Sequence, residues 1–207
     1  MFYRESWEDD LSYISLPRGQ RSSEEREVLQ AITKKLEEHL PLLYPPEDVL
    51  PYHGVHHVQQ VRSDAAVYVN RCRQQGIAVD TFALDHALLC HDLLYGVDPA
   101  LFGFESREDL AAFYAEQFLL KNRASSEHAS YVAHIISSTK ANTLPKEVEE
   151  IIMRAADLAN LAGDFETFAG QTACLYREHR LLTQSPKSFA DFVTDSIVHL
   201  SGYTRRN

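Results

Sequence analysis

Three stretches of this sequence combine imidazole and carboxylate side chains, the groups that hold divalent metal ions in proteins. The first, YHGVHHV at residues 52–58, contains His53 and His57. Their spacing of four residues places them on one face of a predicted helix. Two such histidines can both hold a metal ion, or one can hold it while the other acts on a substrate. Taken alone, the pair fits ordinary histidines near the start of a helix equally well.

The second stretch is ALDHALLCHDLLYG at residues 83–96, in which His91 and Asp92 interrupt a run of leucines. The leucines predict a deeply buried helix, where an ionised carboxylate is costly unless it is paired or coordinated. Adjacent residues of a helix point about 100° apart, so a shared ligand would lie on the flank between them. A buried hydrogen-bonded His–Asp pair, or a solvated helix edge, is the alternative.

The third stretch, EIIMRAADLANLAG at residues 150–163, carries Asp157. Met153 lies one turn before it and Leu161 one turn after, so the carboxylate is on an apolar face. Arg154, three residues earlier, could pair with it instead. Three separate helices would thus bring imidazole, imidazole plus carboxylate, and carboxylate to the interior. A mixed nitrogen and oxygen set suits Mn²⁺, Fe²⁺, Co²⁺, Zn²⁺ or Mg²⁺ better than a soft ion.

The elements that would position these residues are all predicted to be helical. Apolar residues recur at helical spacing and no segment alternates as a strand does. The expected helices span residues 22–40, 53–75, 80–95, 105–121, 126–139, 146–162, 164–182 and 186–200. Asp80 and Asp164 are predicted N-caps, and Ser185 a third, with Pro186 in the first helical position. Prolines between residues 41 and 51 predict a loop, as does GVDPALFGF at 96–104.

The pattern as a whole predicts an all-α, single-domain, multi-helix bundle of seven or eight helices. Residues 1–21 show no clear period and are expected to form an N-terminal arm, with residues 22–207 as the helical domain. A chain of this length can bury one sizeable core.

Composition excludes several classes of partner. Thirty acidic and 20 basic side chains give a net charge of −10, so neither a nucleic acid nor an anionic membrane is expected as a partner, because both need a basic face. A small anionic molecule remains compatible. We see no signal peptide and no apolar run of about 20 residues. Three distant cysteines fit a reducing compartment, so the cytoplasm is the expected location.

The order H…HD…D, with the phrases YHGVHHVQQV, CHDLLYG and AADLANLAG, resembles the HD superfamily of metal-dependent phosphohydrolases. The resemblance covers residues 52 to about 200 and is strongest to the compact bacterial branch. It implies an HD-type helical domain that hydrolyses a nucleotide or another small phosphate ester with a metal-activated water. It also implies one divalent ion (Mn²⁺, Fe²⁺, Co²⁺, Zn²⁺ or Mg²⁺), whose ligands match His57, His91, Asp92 and Asp157.

The resemblance also implies four catalytic positions. His53 matches a proton donor to the leaving group, and Asp92 would orient the water besides binding metal. Glu105 matches a glutamate typical of the compact branch, in the loop after the HD motif. Glu178, within LYREH, matches the glutamate of that branch's Ile-Arg-x-Glu-Tyr phrase. For phosphate charge, the sequence does not select among Lys140, Arg154 and Arg177.

Three departures from the family pattern bear on substrate handling. Tyr176 stands where an arginine is usual, His179 where a tyrosine is usual, and Asn142 where a histidine often closes a Thr-x-x-His phrase. They keep open the alternative that the chain is a catalytically silent domain, which binds metal and nucleotide as a sensor.

An oxygenase, or a second metal, would need further histidines between residues 92 and 157. His128 and His134 lie there, but six residues apart. The sequence leaves the oligomeric state open.

Overall fold

The computed structural model describes residues 21–46, 48–141 and 143–204, with side chains described as far as residue 198. These residues contain eight α-helices and no strand, which confirms the all-α prediction. The helices are α1 Ser23–Leu43, α2 Val55–Gln74, α3 Thr81–Cys90, α4 Arg107–Lys121, α5 Ser126–Ser137, α6 Val148–Asp157, α7 Phe165–Leu182 and α8 Phe189–Thr204. Short 3₁₀ helices cover Pro99–Phe102 and Ala159–Ala162. The predicted arm lies outside the described residues, except for Arg21.

Helix α3 lies at the centre of the domain and packs against α1, α2, α4, α5 and α6. Its sequence, TFALDHALLC, is apolar on nearly every side, which is the character of a helix enclosed by others. Leu84, Leu89 and Cys90 are buried, and so is His86. None of the described helices combines the length and apolar character needed to cross a membrane.

Two predicted caps are confirmed. The Asp80 side chain accepts a hydrogen bond from the backbone N–H of Ala83, and Asp164 accepts one from Thr167. Ser22 caps α1 in the same way. Each satisfies a backbone donor that the first turn of a helix leaves unpaired.

The third predicted cap is wrong. Helix α8 begins at Phe189, not at Pro186, and Ser188 accepts the hydrogen bond from the backbone N–H of Asp191. Residues just before α8 are held by α7 instead: the Lys187 backbone N–H donates to His179, and the Lys187 carbonyl accepts from Tyr176. These contacts with the preceding helix, α7, outweigh the local preference of proline for the first turn of a helix.

Two of the expected helices end early, and both ends belong to the predicted metal site. Helix α3 stops at Cys90, so His91 and Asp92 lie in a series of turns and not in mid-helix. Leu94 in these turns has a positive φ of 62°. Helix α6 stops at Asp157, and a separate 3₁₀ helix follows. The predicted loop at residues 41–51 likewise begins later, because α1 continues through Pro41 to Leu43.

Helices α7 and α8 lie at the edge of the domain. Helix α7 packs on the 3₁₀ helix Ala159–Ala162 and on α8. Only Thr172 and Glu178 of α7 are buried. Glu178 therefore stands out as a charged side chain that α7 directs into the domain.

Candidate metal centre

Four side chains bring one ligand atom each to a common point. They are His57, His91, Asp92 and Asp157, and their ligand atoms all lie within 4.8 Å of one another. His57 Nε2 is 3.2 Å from Asp157 Oδ1 and 3.4 Å from Asp92 Oδ2. The two Nε2 atoms of His57 and His91 are 3.4 Å apart. The residues predicted from three distant parts of the sequence therefore meet, and the group could hold a metal ion.

Three helices produce this convergence. His57 lies in the first turn of α2, His91 and Asp92 directly follow α3, and Asp157 is the last residue of α6. These helices pack against one another in all three pairings. The end of α3 has a role here, because adjacent residues in a continuous helix would diverge by about 100°. In the turn, His91 Nε2 and Asp92 Oδ2 lie 2.9 Å apart.

The separations fit a coordination shell. Ligand atoms bound to one ion at about 2.1 Å lie roughly 3.0 to 3.4 Å apart, and every pair of ligand atoms that includes His57 or His91 is 2.9 to 3.6 Å apart. Asp92 Oδ2 is buried and has no hydrogen-bond partner, although it is close to His91 Nε2. The two atoms are thus near each other without being aligned for a hydrogen bond. A buried carboxylate oxygen in this position fits a cation as its partner.

The imidazoles are oriented to present Nε2. The carbonyl of Leu88 accepts a hydrogen bond from His91 Nδ1 at 2.9 Å, which leaves Nε2 to face the other ligands. A backbone carbonyl on the far nitrogen is a common support for a metal-binding histidine. Both histidines are almost completely buried. Asp157 is the most exposed ligand, with 27% of its side chain accessible, so the centre is open to solvent on its side.

The ionisation of the four groups is interdependent. Burial by itself lowers the pKa of His91, but the carboxylates of Asp92 and Asp157 outweigh it and raise the pKa well above its usual value. His57 follows the same pattern, because the nearby carboxylates of Asp157 and Asp92 outweigh burial and raise its pKa. Burial raises the pKa of Asp157, and the two histidines reverse this and lower it. The centre thus favours ionised carboxylates, which are the form that binds a divalent ion, while its two histidines must release their protons before they can bind one.

His53 adjoins the centre and is held by Glu178. The His53 ring lies 5.6 Å from the His57 ring, measured between centres. Glu178 Oε2 accepts the backbone N–H groups of Tyr52 at 3.1 Å and His53 at 3.0 Å, while Oε1 contacts His53 Nδ1. Burial raises the pKa of Glu178, but the hydrogen bonds from His53 and Tyr52 lower it below the usual value. Because ionised Glu178 can only accept, Nδ1 carries the proton and Nε2 faces away from it.

A second support for His53 is the ring of Tyr95. The two rings are stacked, with centres 3.4 Å apart and planes inclined by 15°. The guanidinium of Arg107 lies 4.8 Å from the Tyr95 ring centre, and its Nε donates to the Tyr95 carbonyl at 2.9 Å. The imidazole of His53 and the guanidinium of Arg107 thus both lie against the Tyr95 ring. Sequence reasoning missed both residues. Tyr95 follows the HD pair by three positions in LLYG, which was the available signal.

Glu105 is not part of this cluster. It is exposed in the loop before α4 and does not belong to the group of four ligand residues. Of the predicted catalytic residues, the structure brings together His53, Asp92 and Glu178.

The two histidines considered for a second metal lie elsewhere. His128 contacts His86 and Arg21, and the exposed His134 pairs with Glu150. Within the described ranges, the one group of three or more candidate metal ligands is His57, His91, Asp92 and Asp157.

The cations considered for phosphate binding are engaged or peripheral. Arg154 donates to the carbonyls of Thr143 and Lys140 at 2.6 and 2.8 Å. Lys140 forms an ion pair with Asp109, and Arg177 is exposed on α7.

Two departures from the family pattern face α8. The Tyr176 ring packs against Phe189 and Phe192, and the His179 ring packs against Phe192. Asn142 lies outside the described residues.

A comparison of the chain with protein-family models, with curated proteins and with solved structures finds no match.

Proposed function

We propose that this protein is a metal-dependent phosphohydrolase of the HD type that acts on a nucleotide or another small phosphate ester. The observation that carries the proposal is the meeting of two imidazoles and two carboxylates at a site open on one side, with His53 beside them. A divalent ion bound there would polarise a phosphoryl oxygen and lower the pKa of a coordinated water to about 7.

His53 would exchange a proton with the leaving group through Nε2. Its Nδ1 proton is bound to Glu178, and its ring plane is fixed by Tyr95. A general acid must reach the departing oxygen with one defined atom. The contacts with Glu178 and Tyr95 leave Nε2 of His53 as that atom. Asp92 would accept a hydrogen bond from the attacking water with a carboxylate oxygen. Glu178 acts as a positioning residue, since it touches His53 and not the substrate.

The arrangement supports hydrolysis without a large cationic phosphate site. Arg154 and Lys140 are engaged within the protein, so the charge of the phosphoryl group would be met by the metal and by His53. The same feature favours the second candidate, a silent domain that binds metal and nucleotide as a sensor. Tight nucleotide binding without product over hours would distinguish that function. We place the protein in the cytoplasm on the basis of its cysteine spacing.

The test is phosphate release from a panel of nucleotides and p-nitrophenyl esters, with Mn²⁺, Mg²⁺, Co²⁺ or Fe²⁺ added to chelator-treated protein. We expect release that depends on metal and is lost in Asp92→Asn. The matched control is Asp48→Asn, which makes the same change at an exposed turn residue. A folded, metal-loaded wild type that releases neither phosphate nor pyrophosphate from any compound would refute the proposal.

A further inference from the structure

An open cleft of about 370 Å³ lies beside the metal centre. It is lined by His56, His57, Gln59, Gln60, Asn160 and Gln171, and we name it the carboxamide cleft after its four amide side chains. Its volume is in the range of small-molecule sites, which is roughly 300 to 1,000 Å³. The cleft is therefore large enough for the body of a small substrate.

The carboxamide cleft is continuous with the metal centre. His57 belongs to both, and Asn160 follows the ligand Asp157 by three residues in the adjoining 3₁₀ helix. Gln171 lies on α7 two turns before Glu178, so both project from the same side of that helix. A molecule with its phosphate at the metal would extend its remaining part into this cleft.

The described residues that line the cleft offer hydrogen-bonding groups, and none of them is Lys, Arg, Asp or Glu. A carboxamide offers two donor hydrogens and an acceptor oxygen, which suits hydroxyl groups and the edges of bases. Gln60 donates its amide to Asp64 at 3.2 Å, so its oxygen remains as an acceptor. The side chains of Asn160 and Gln171 are half-buried and are not hydrogen-bonded to other described residues.

We propose that the carboxamide cleft binds the uncharged, hydrogen-bonding body of a phosphate monoester, a sugar or a nucleoside that carries a single phosphate. The inference rests on the proposed function for the position of the phosphate. A second phosphate in the cleft would lose hydration without meeting a lysine or arginine among the described lining residues, which is unfavourable. The net charge of −10 adds to that penalty. Nucleoside di- and triphosphates are therefore disfavoured.

The experiment measures binding without turnover, by calorimetry on Mn²⁺-loaded protein. The probes are methylphosphonate, ribose 5-methylenephosphonate, adenosine 5′-methylenephosphonate and the diphosphate analogue of the last, which has methylene groups at both the 5′ and the bridging positions; none of them has a hydrolysable phosphate bond. We expect at least tenfold tighter binding of one or both sugar-bearing monophosphonates than of methylphosphonate or the diphosphate. Equal affinity of the two monophosphonates assigns the cleft to sugar hydroxyls, and tighter binding of the adenosine compound assigns it to the base. Both results support the proposal.

Gln171→Met keeps the side-chain size and removes the amide. We expect it to weaken the favoured monophosphonate about three- to tenfold, the value of one or two neutral hydrogen bonds, and to leave methylphosphonate unchanged. Gln171→Lys should shift the preference toward the diphosphate. Gln117→Met, an exposed site on α4, is the matched control and should change nothing.

The proposal is overturned if the diphosphate binds as tightly as the monophosphonates, if methylphosphonate does, or if folded Gln171→Met matches wild type. Amide-dependent binding in a protein that releases no phosphate would uphold the cleft and refute the hydrolase. Phosphate release that is accompanied by no effect of Gln171→Met on binding would uphold the hydrolase and refute the cleft.

Discussion

The Glu178 carboxylate binds both the backbone N–H of His53, at 3.0 Å, and its ring Nδ1, although the two residues are 125 positions apart. Among the charged residues of α7, Glu178 is the one that is buried. The contact thus fixes the direction of the His53 ring beside the metal centre, and it ties the peripheral helix α7 to the start of α2. The proposed proton donor is oriented by this carboxylate.

Glu178→Gln should lower kcat for an alkyl phosphate about tenfold to a hundredfold, the range found for residues that orient a catalytic group. The amide keeps the size of the side chain but can no longer act as a charged acceptor for Nδ1. KM and bound metal should remain at wild-type levels. Glu166→Gln, exposed on the same helix, is the control. Equal kcat values for the two variants would contradict a positioning role.

His53→Asn should lower kcat for an alkyl phosphate by roughly 10² to 10⁴, the usual contribution of a general acid. The loss should be much smaller for p-nitrophenyl phosphate, whose leaving group departs without a proton. Metal content should be unchanged. His39→Asn, at a half-buried position on α1, serves as control. A loss of the same size for both esters would exclude proton donation by His53.

Tyr95 should act through its ring and not through its hydroxyl. Tyr95→Phe keeps the surface stacked on His53 and should retain most of the activity, whereas Tyr95→Leu removes it and should lower kcat about tenfold. The measurement is steady-state kinetics with thermal unfolding of both variants. If Tyr95→Phe were as impaired as Tyr95→Leu, the hydroxyl would be the functional group.

His86 should make stability depend on pH. Burial and the neighbouring His128 lower its pKa from 6.5 to about 3, so the folded state keeps it neutral while the unfolded chain takes up a proton below about 6.5. The contribution of neutral His86 to the free energy of unfolding is complete above pH 6.5. It declines as the pH falls toward 3, by up to about 1.4 kcal/mol per pH unit.

Urea unfolding of wild type and His86→Gln, in chelator at several pH values, measures this effect. In the wild type, His86 is hydrogen-bonded to both His128 and Thr33 at 2.9 Å. We therefore expect His86→Gln to be less stable than the wild type at pH 7. The difference should shrink as the pH falls from 6 to 4. A difference that stays constant with pH would show that His86 takes up its proton equally in both states.

Local patterns were enough to predict three of the four residues of the candidate metal centre. His91 and Asp92 interrupt an apolar run, and Asp157 lies on an apolar face, so polar side chains are directed into the interior. The packing of α2, α3 and α6 then brings them together. The resemblance added His57 and singled out His53 and Glu178.

Contacts between distant residues account for what the sequence did not predict. The stacking of His53 on Tyr95 and the pairing of His86 with His128 each join elements far apart in the chain. Before α8, the Lys187 backbone N–H donates to His179, eight residues earlier, and the helix begins at Phe189 and not at Pro186. The turns that follow α3 include Leu94 at a positive φ, a backbone conformation that a leucine does not signal.

The most direct test of the metal centre measures bound Mn²⁺ and phosphate release in the same samples of chelator-treated protein, for wild type and Asp157→Asn. We expect one Mn²⁺ per wild-type chain, with phosphate release rising in proportion to occupancy. Asp157→Asn, folded by circular dichroism, should bind Mn²⁺ at least tenfold more weakly and release correspondingly less phosphate. Wild-type protein that is folded and binds no Mn²⁺, or Asp157→Asn protein that binds it as tightly, would refute the proposed metal centre.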